Sequence, residues 1–303
     1  MAQTVSPHEI AICDDRSDDG TWGVLQKWAA DVAEPQGIDV TLIRNQERLG
    51  VTRNFELACS QLGADVIFLC DQDDVWPENK VEKFLAEFGD PDVILVHSDA
   101  HLVGADLENL GITLFRGLRF TKREELLVQE GRFLEVYCRR NLVTGAAAAF
   151  RRSLLSVARP FPREWVHDEW LAAIAASCGR IVMLSECLLL YRQHGRNAIG
   201  VPKDFGEYVA HGWRRVREVS RREFFRRRIL RLEQWLARVQ SLDGEHVSEA
   251  LHIQGALVHF RNRSQMKVSP FSRLAVIWGE WRSGRYLYYS GGRRGVLRDL
   301  LYL

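Results

Sequence analysis

The stretch Asp65-Val66-Ile67-Phe68-Leu69-Cys70-Asp71-Gln72-Asp73-Asp74-Val75-Trp76-Pro77 changes character halfway. Asp65 to Cys70 is a short apolar run with β-branched and aromatic residues, which reads as a buried strand. The second half crowds Asp71, Asp73 and Asp74 into one turn. Trp76-Pro77 closes that turn before a helical pattern from Asn79 to Phe88. A buried strand feeding an acidic turn and then a helix is a unit of an α/β sheet, whose ligands bind beyond the carboxyl ends of the strands.

The neighbouring segments repeat the unit. Glu9 to Cys13, Val40 to Ile43 and Val93 to Val96 read as strands, and Thr21 to Val32 and Asn54 to Leu62 as helices. The resulting β-α-β-α-β-α-β order predicts a mainly parallel sheet flanked by helices. Further on, Asn141 to Phe150 reads as a strand leading into a helix at Arg152. His167 to Ser177 is a helix, and Ile181 to Leu184 and Leu188 to Arg192 are short strands. From Phe205 the pattern is helical and basic. This divides the chain into a sheet region, 1–202, and a basic, mainly helical C-terminal region, 203–303.

Like charges packed as closely as Asp71, Asp73 and Asp74 repel, and a bound cation is the usual relief. Carboxylate oxygens suit Mg²⁺ or Mn²⁺, with phosphates completing the shell at nucleotide sites. A solvated acidic loop is the plain alternative. A second acidic cluster, Asp14-Asp15, ends the first strand, followed by Ser17, Asp18, Asp19 and Gly20. Helix capping accounts for the later residues. It leaves Asp14 and Asp15 to accept hydrogen bonds from a ribose or a base edge.

These segments, taken together, resemble family 2 glycosyltransferases of the GT-A fold. The resemblance rests on Asp14-Asp15-x-Ser17-x-Asp19-Gly20-Thr21, Asn45-x5-Gly50-x3-Asn54 and Asp71-Gln72-Asp73-Asp74-x-Trp76. Asn141-x2-Thr144-Gly145, His167-Asp168-x-Trp170-Leu171 and Tyr191-Arg192-Gln193-His194-Gly195-x-Asn197 are similar to the rhamnosyltransferase-like branch that builds bacterial surface polysaccharides. The matching segments run in one order over about residues 8–200, which makes the series far more specific than any one motif.

The resemblance implies an inverting enzyme that moves a sugar, rhamnose as a candidate, from a nucleoside-diphosphate donor to a glycan or lipid-linked glycan. Asp14 or Asp15 would contact the nucleoside. Asp71 would face ribose and phosphate, with Asp74 on the same donor side, and Asp73 would hold the metal. Asp168 would be the catalytic base, and His194 would lie near the donor diphosphate or the metal. Thr144, Gly145 and Trp170 would line the acceptor side. The family's usual opening strand, before the Asp-Asp strand, has no counterpart ahead of Asp14, so the sheet is expected to lack it.

The residues themselves permit this chemistry. A carboxylate can take the proton of an attacking hydroxyl, and burial would raise its pKa toward the useful range. Asp168, beside His167 and Trp170 at a helix start, suits that role, although an N-cap explains it as well. His194, between Arg192 and Arg196, would form a cationic pocket for phosphate. Gly145 serves either a close backbone approach or a plain turn.

The formal charge is only +1, yet from Lys203 onward about twenty Lys and Arg face about ten Asp and Glu. Arg214, Arg215, Arg217, Arg221, Arg222, Arg226, Arg227, Arg228 and Arg231 share a predicted helix with Trp213, Phe224 and Phe225. Trp278, Trp281, Tyr286, Tyr288 and Tyr289 mix with further arginines near the end. Basic faces with aromatics suit an anionic membrane surface, and a helix packing on the catalytic region is the alternative. No recognition motif accompanies the charge, so nucleic acid is not an expected partner.

Hydrophobic residues at 46% and charged residues at 27% fit a globular chain. The six cysteines form no Cys-x-x-Cys pair, which argues against zinc. No apolar run reaches the length of a membrane span, and no signal peptide is evident, so a cytoplasmic setting, peripheral on the inner membrane face, is expected. A metal-dependent phosphoesterase and a degenerate, non-catalytic binding partner are the competing readings.

Overall fold

The computed structural model describes residues 3–193, 220–242, 244, 246–266 and 269–301. The chain opens in the expected alternation: β1 (Glu9–Asp14), α1 (Thr21–Trp28), β2 (Asp39–Arg44), α2 (Val51–Ser60), β3 (Val66–Phe68), α3 (Lys80–Glu87) and β4 (Val93–Val103). Helix α1 ends at Trp28 and continues as a π-helical turn over Ala29–Ala33.

The middle part is richer than its sequence pattern shows. It holds β5 (Asn109–Thr113), α4 (Leu114–Gly117), α5 (Lys122–Gln129) and α6 (Phe133–Tyr137). Thr121 and Glu124 close a reciprocal capping box at the start of α5. A 3₁₀ turn over Gly145–Ala147 then leads into β6 (Ala148–Arg151), α7 (Leu154–Ala158), α8 (His167–Cys178) and β7 (Arg180–Arg192). The two short strands expected after α8 are one strand. Its register on β4 jumps between Leu184 and Cys187, which leaves Ser185 and Glu186 as an exposed bulge.

The strands form two sheets. β1 and β2 pair in parallel, and the larger sheet runs β3-β6-β4-β5 with β7 on β4. Parallel pairing holds for β1–β2 and β4–β7, while β5 and β6 enter antiparallel, so the larger sheet is mixed. β1 is bonded to β2 alone and β3 to β6 alone. Among the described residues no strand joins the two sheets.

Helix α3 covers one face of the larger sheet, burying Phe84 and Phe88 against Val93, Val96, Ala149 and Leu188. Helix α8 covers the other, where the small Ala172, Ala173 and Ala175 let it approach Ile67, Leu95, Phe150 and Ile181. The C-terminal region is helical: α9 (Arg221–Gln240), α10 (Val247–Ser264), α11 (Pro270–Arg282), α12 (Arg285–Tyr289) and α13 (Arg293–Leu301). Phe225, Leu232, Trp235, Ile253 and Phe260 continue the α8 core. The buried indole of Trp235 donates to Ser177 Oγ at 3.0 Å.

The basic stripe of α9 takes part in this packing. Arg228 donates to the Cys138 carbonyl at 2.6 Å, Arg231 pairs with Glu169, and Arg238 donates to the carbonyls of Val157 and Arg159, each at 2.8 Å. For these residues the packing alternative describes the helix. Trp213, Arg214, Arg215 and Arg217 lie outside the described residues. Among the described residues no helix is long and apolar enough to cross a membrane.

Candidate functional site

Asp14 and Asp15 end β1, and both are engaged within the fold. Asp14 accepts from Ser17 N–H at 3.0 Å and pairs with Arg44 at 3.4 Å. Asp15 accepts from Leu49 N–H at 2.7 Å, Gly50 N–H at 2.9 Å and Asn45 Nδ2 at 2.9 Å. Burial alone would raise the Asp15 carboxyl, but these donors outweigh it and hold it below the usual carboxylate range. Gly50 presents its N–H from φ 79° and ψ 160°, a conformation essentially reserved for glycine.

The spacing Asn45-x5-Gly50-x3-Asn54 is therefore a structural clasp. Asn45 donates to Asn54 Oδ1 at 2.8 Å, and Asn54 donates to the Cys13 carbonyl at 2.7 Å. Helix α2 carries this clasp to the start of α8. Thr52 Oγ1 donates to the Trp165 carbonyl at 2.7 Å, and the Phe55 ring stacks on His167 at 3.8 Å.

The acidic turn leaves β3 and is pinned against the end of β7. Val75 and Leu190 exchange backbone hydrogen bonds of 3.2 and 2.8 Å. Arg192 N–H donates to Asp74 Oδ1 at 2.8 Å, its Nε to the Asp73 carbonyl at 2.6 Å, and a terminal guanidinium nitrogen to the Ala105 carbonyl. Arg192 thus braces the turn through the Asp73 carbonyl and the Asp74 carboxylate.

Burial first, then repulsion from Asp73 and Asp168, raises the Asp71 carboxyl to about 6. Burial raises Asp74 to about 7 despite the bond from Arg192, with Asp71 and Asp73 adding to the rise. Asp74 Oδ2 is buried and has no hydrogen-bond partner among the described residues. Three carboxylates thus crowd one turn, an arrangement that a divalent cation can stabilise. Among the described residues no three His, Cys, Asp or Glu side chains converge into a protein-only metal site. His194 lies outside the described residues, as do Gly195, Arg196 and Asn197.

One cation beneath the turn escapes the sequence reading. Lys80 is completely buried. Its Nζ donates to the Ala146 carbonyl at 2.7 Å and lies 4.0 Å from the centre of the Trp76 ring. Burial lowers its ammonium to about 7, and the charges of Cys70, Asp74 and Asp71 pull the other way. The available signal is helical spacing: Lys80, Phe84 and Phe88 fall on one stripe of α3. Lys80 therefore ties the acidic turn to the Gly145–Ala147 turn.

Asp168 sits in the first turn of α8, which begins at His167 with Val166 as its N-cap. It is not the cap. Its Oδ2 accepts from Gly145 N–H at 2.8 Å and its Oδ1 from Glu169 N–H at 2.7 Å. Burial raises its carboxyl, and His167 and the Gly145 bond oppose the rise. A methyl on Gly145 would stand 3.1 Å from His167 Nε2 and 3.2 Å from Asp168 Cβ. Close approach to His167 and Asp168, rather than turn conformation, accounts for this glycine. Neither ring nitrogen of the buried His167 has a hydrogen-bond partner among the described residues.

Thr144 is half-buried and accepts the Ala147 N–H that closes the 3₁₀ turn. Trp170 is a correction. It is wholly buried, its indole donates to the Ala158 carbonyl at 2.7 Å, and it packs edge-on against Trp165 at 5.1 Å. It is a core residue and lines no acceptor pocket.

Tyr191 joins the two halves. Burial raises its phenol, and the charges of Asp71, Asp74, Asp168 and Asp73 raise it further. Asp71, Asp73, Asp74, Asp168, Gly145 and Tyr191 thus gather at one site. Asp14 and Asp15 lie at the end of β1 in the separate two-stranded sheet, linked to the larger one through α2 and through bonds from Gln3 and Thr4 to Pro77, Glu78 and Val81.

Residues 1–157 match the family described as Glycosyl transferase family 2. An uncharacterized glycosyltransferase of Nostoc sp. is 27% identical over 204 residues, covering 65% of this chain. The match spans 59% of that relative's length. Among solved structures, S. aureus TarS 1-349 in complex with UDP-GlcNAc aligns with a TM-score of 0.52 at 13% identity, over 99% of this chain and 82% of that one. The mannosyltransferase PcManGT from Pyrobaculum calidifontis, in complex with GDP-Man and Mn²⁺, aligns with a TM-score of 0.50 at 18% identity, over 98% and 77%. At these identities the two structures speak to the fold alone.

Proposed function

The chain belongs to glycosyl transferase family 2, and from that premise we propose that it moves a sugar from a nucleoside diphosphate to a glycan hydroxyl with inversion at the anomeric carbon. Asp168 is the base. Its raised carboxyl is held by the Gly145 and Glu169 N–H groups, and its charge is felt at Asp71 across the site. The observation that carries the reading is geometric: Gly145, which donates to Asp168, adjoins Ala146, whose carbonyl takes the Lys80 ammonium lying over Trp76 of the acidic turn. The acceptor oxygen bonds to the anomeric carbon as the diphosphate oxygen leaves, and the acceptor proton passes to Asp168.

The donor diphosphate is assigned to the acidic turn, with Asp71 and Asp74 on the donor side. Asp73 is the ligand for Mg²⁺ or Mn²⁺, and phosphate oxygens complete the shell. The residues fit such a shared site: the turn supplies clustered carboxylates and a buried Asp74 oxygen with no hydrogen-bond partner among the described residues, without a closed protein cage there. The bound cation would stabilise the leaving diphosphate as a Lewis acid. Asp14 and Asp15 shape the nucleoside end. Thr144 and Gly145 stand on the acceptor side. Rhamnose as the sugar, a uridine or deoxythymidine diphosphate as its carrier, a lipid-linked surface glycan as the acceptor and a place on the inner membrane face complete the proposal.

A panel of nucleotide sugars with Mn²⁺ tests it. Asp73→Ala is expected to abolish metal-dependent turnover, and Asp168→Asn to keep donor binding but lose transfer. Turnover retained in the first variant would remove the metal assignment. Donor affinity lost in the second would make Asp168 structural. Donor binding with no turnover in the wild type would favour the non-catalytic reading.

A further inference from the structure

Helix α11 is built inside out. Its charged residues Arg273 and Glu280 face the interior. Arg273 donates to the Asp299 carbonyl at 3.3 Å. Glu280 is held by His259 Nδ1 at 2.6 Å, Asn262 at 2.7 Å and Arg285 at 2.8 and 2.7 Å. The outward face carries Phe271, Leu274, Trp278 and Trp281, with 86%, 49%, 63% and 44% of each residue exposed. Their spacing sets them on one stripe about ten residues long. Tyr288, close to the Gly284 that ends α11, extends this aromatic edge, and Leu297 and Leu301 are exposed on α13.

The buried charges are satisfied by their partners, but apolar surface left in water is unfavourable, so a row of exposed aromatic side chains marks a face that meets something apolar. The charge around the stripe has one sign. Between residues 269 and 301 the acidic residues are Glu280 and Asp299, and both are buried in ion-pair networks. Arg282, Arg293, Arg294 and Arg298 are exposed and make no ion pair among the described residues. Tryptophan, tyrosine and phenylalanine beside arginines match the headgroup region of an anionic bilayer, where rings sit at the acyl boundary and guanidinium groups meet phosphate. Among the described residues from 269 to 301 the exposed charges are all guanidinium groups, so the surface this face meets is expected to be anionic, as a layer of lipid phosphates is.

We propose that the exposed face of α11, with the α13 arginines, docks the protein on an anionic lipid bilayer. The proposal rests on the peripheral location put forward above and gives it a surface, distinct from the α9 stripe that packs inward. It does not depend on the sugar-transfer chemistry.

Co-sedimentation of the full chain with vesicles of phosphatidylcholine, alone or mixed with phosphatidylglycerol, tests it without turnover. Binding is expected only with the anionic lipid, and added salt should weaken it. Phe271→Ser with Trp278→Ser is expected to weaken binding about tenfold or more, and Arg294→Gln with Arg298→Gln by several-fold. The thermal midpoint should be unchanged in both, because the side chains replaced are exposed. Three results would overturn the proposal: vesicle binding unaffected by the aromatic pair; a clear fall in thermal midpoint for that pair, marking an internal packing surface; or no vesicle binding at all, with light scattering of a dimer that the pair dissociates pointing to a self-association face.

Discussion

The backbone N–H of Gly145 donates to Oδ2 of Asp168 across 2.8 Å, and nothing larger than hydrogen fits on the Gly145 α-carbon without pressing on His167 and Asp168. The Asp168 carboxylate, the proposed base, is therefore positioned by a backbone group that cannot change its distance freely. Gly145→Ala is expected to push the carboxylate by a few tenths of an ångström. A displacement of that size should lower kcat about tenfold while donor affinity holds. Steady-state kinetics against donor concentration would check this, and an unchanged kcat would free the base from the contact.

Lys80 makes a second prediction. In Lys80→Met the Ala146 carbonyl loses its donor and the acidic turn loses its nearest buried cation. Stability should fall by about 1–3 kcal/mol in urea titrations without metal. Added Mn²⁺ should restore part of that loss. An equal loss with and without metal would separate the lysine from the turn.

Asp15 holds the loop ahead of α2 through Asn45, Leu49 and Gly50. Asp15→Ala removes a charged acceptor from three donors. It should cost about 2 kcal/mol and weaken nucleotide binding, because the clasp at the end of β1 loosens. Calorimetric titration with a nucleoside diphosphate, beside thermal melts, would show whether the two effects move together.

His97 gives a pH dependence remote from the acidic turn. It lies fully buried on β4 between Phe115 and Phe133, with neither ring nitrogen hydrogen-bonded among the described residues. Burial depresses it from 6.5 to about 3. A depressed folded pKa gives stability that is fully present above about 6.5 and is lost as pH falls toward 3, because the unfolded chain takes the proton first. The loss from this one site is at most about 1.4 kcal/mol per pH unit. His97→Leu should flatten the acid limb of a stability profile. An unaltered limb would assign acid sensitivity elsewhere.

The alternation up to β4 and both acidic clusters were legible because strand and helix periods there are uninterrupted. β4 was read as ending at Val96 because His97, Ser98 and Asp99 look like a strand end. They are buried all the same, and Asp99 resolves its own burial by accepting from Ala100 and Phe115 N–H at 2.8 Å. The break at Ser185-Glu186 is a bulge, which a periodicity count cannot tell from a loop. The resemblance implies an acceptor-side role for Trp170, two residues after Asp168 on α8, where the side chain points into the core. Lys80 went unnoticed because a lysine is ordinarily a surface residue.

The split between β1 and β3 gives the site a mechanical character. No ladder hydrogen bond ties the two-stranded sheet to the larger one among the described residues; α2 links them through Asn54, Thr52 and Phe55, and Gln3 and Thr4 bond to Pro77, Glu78 and Val81. On the proposed reading, the nucleoside end and the base then sit on sheets that no strand pairing locks together. A donor that touches both ends would then act as a latch. Amide exchange over Ile10–Cys13 and Val40–Ile43 should slow on donor binding, while the middle of β4 keeps its protection throughout.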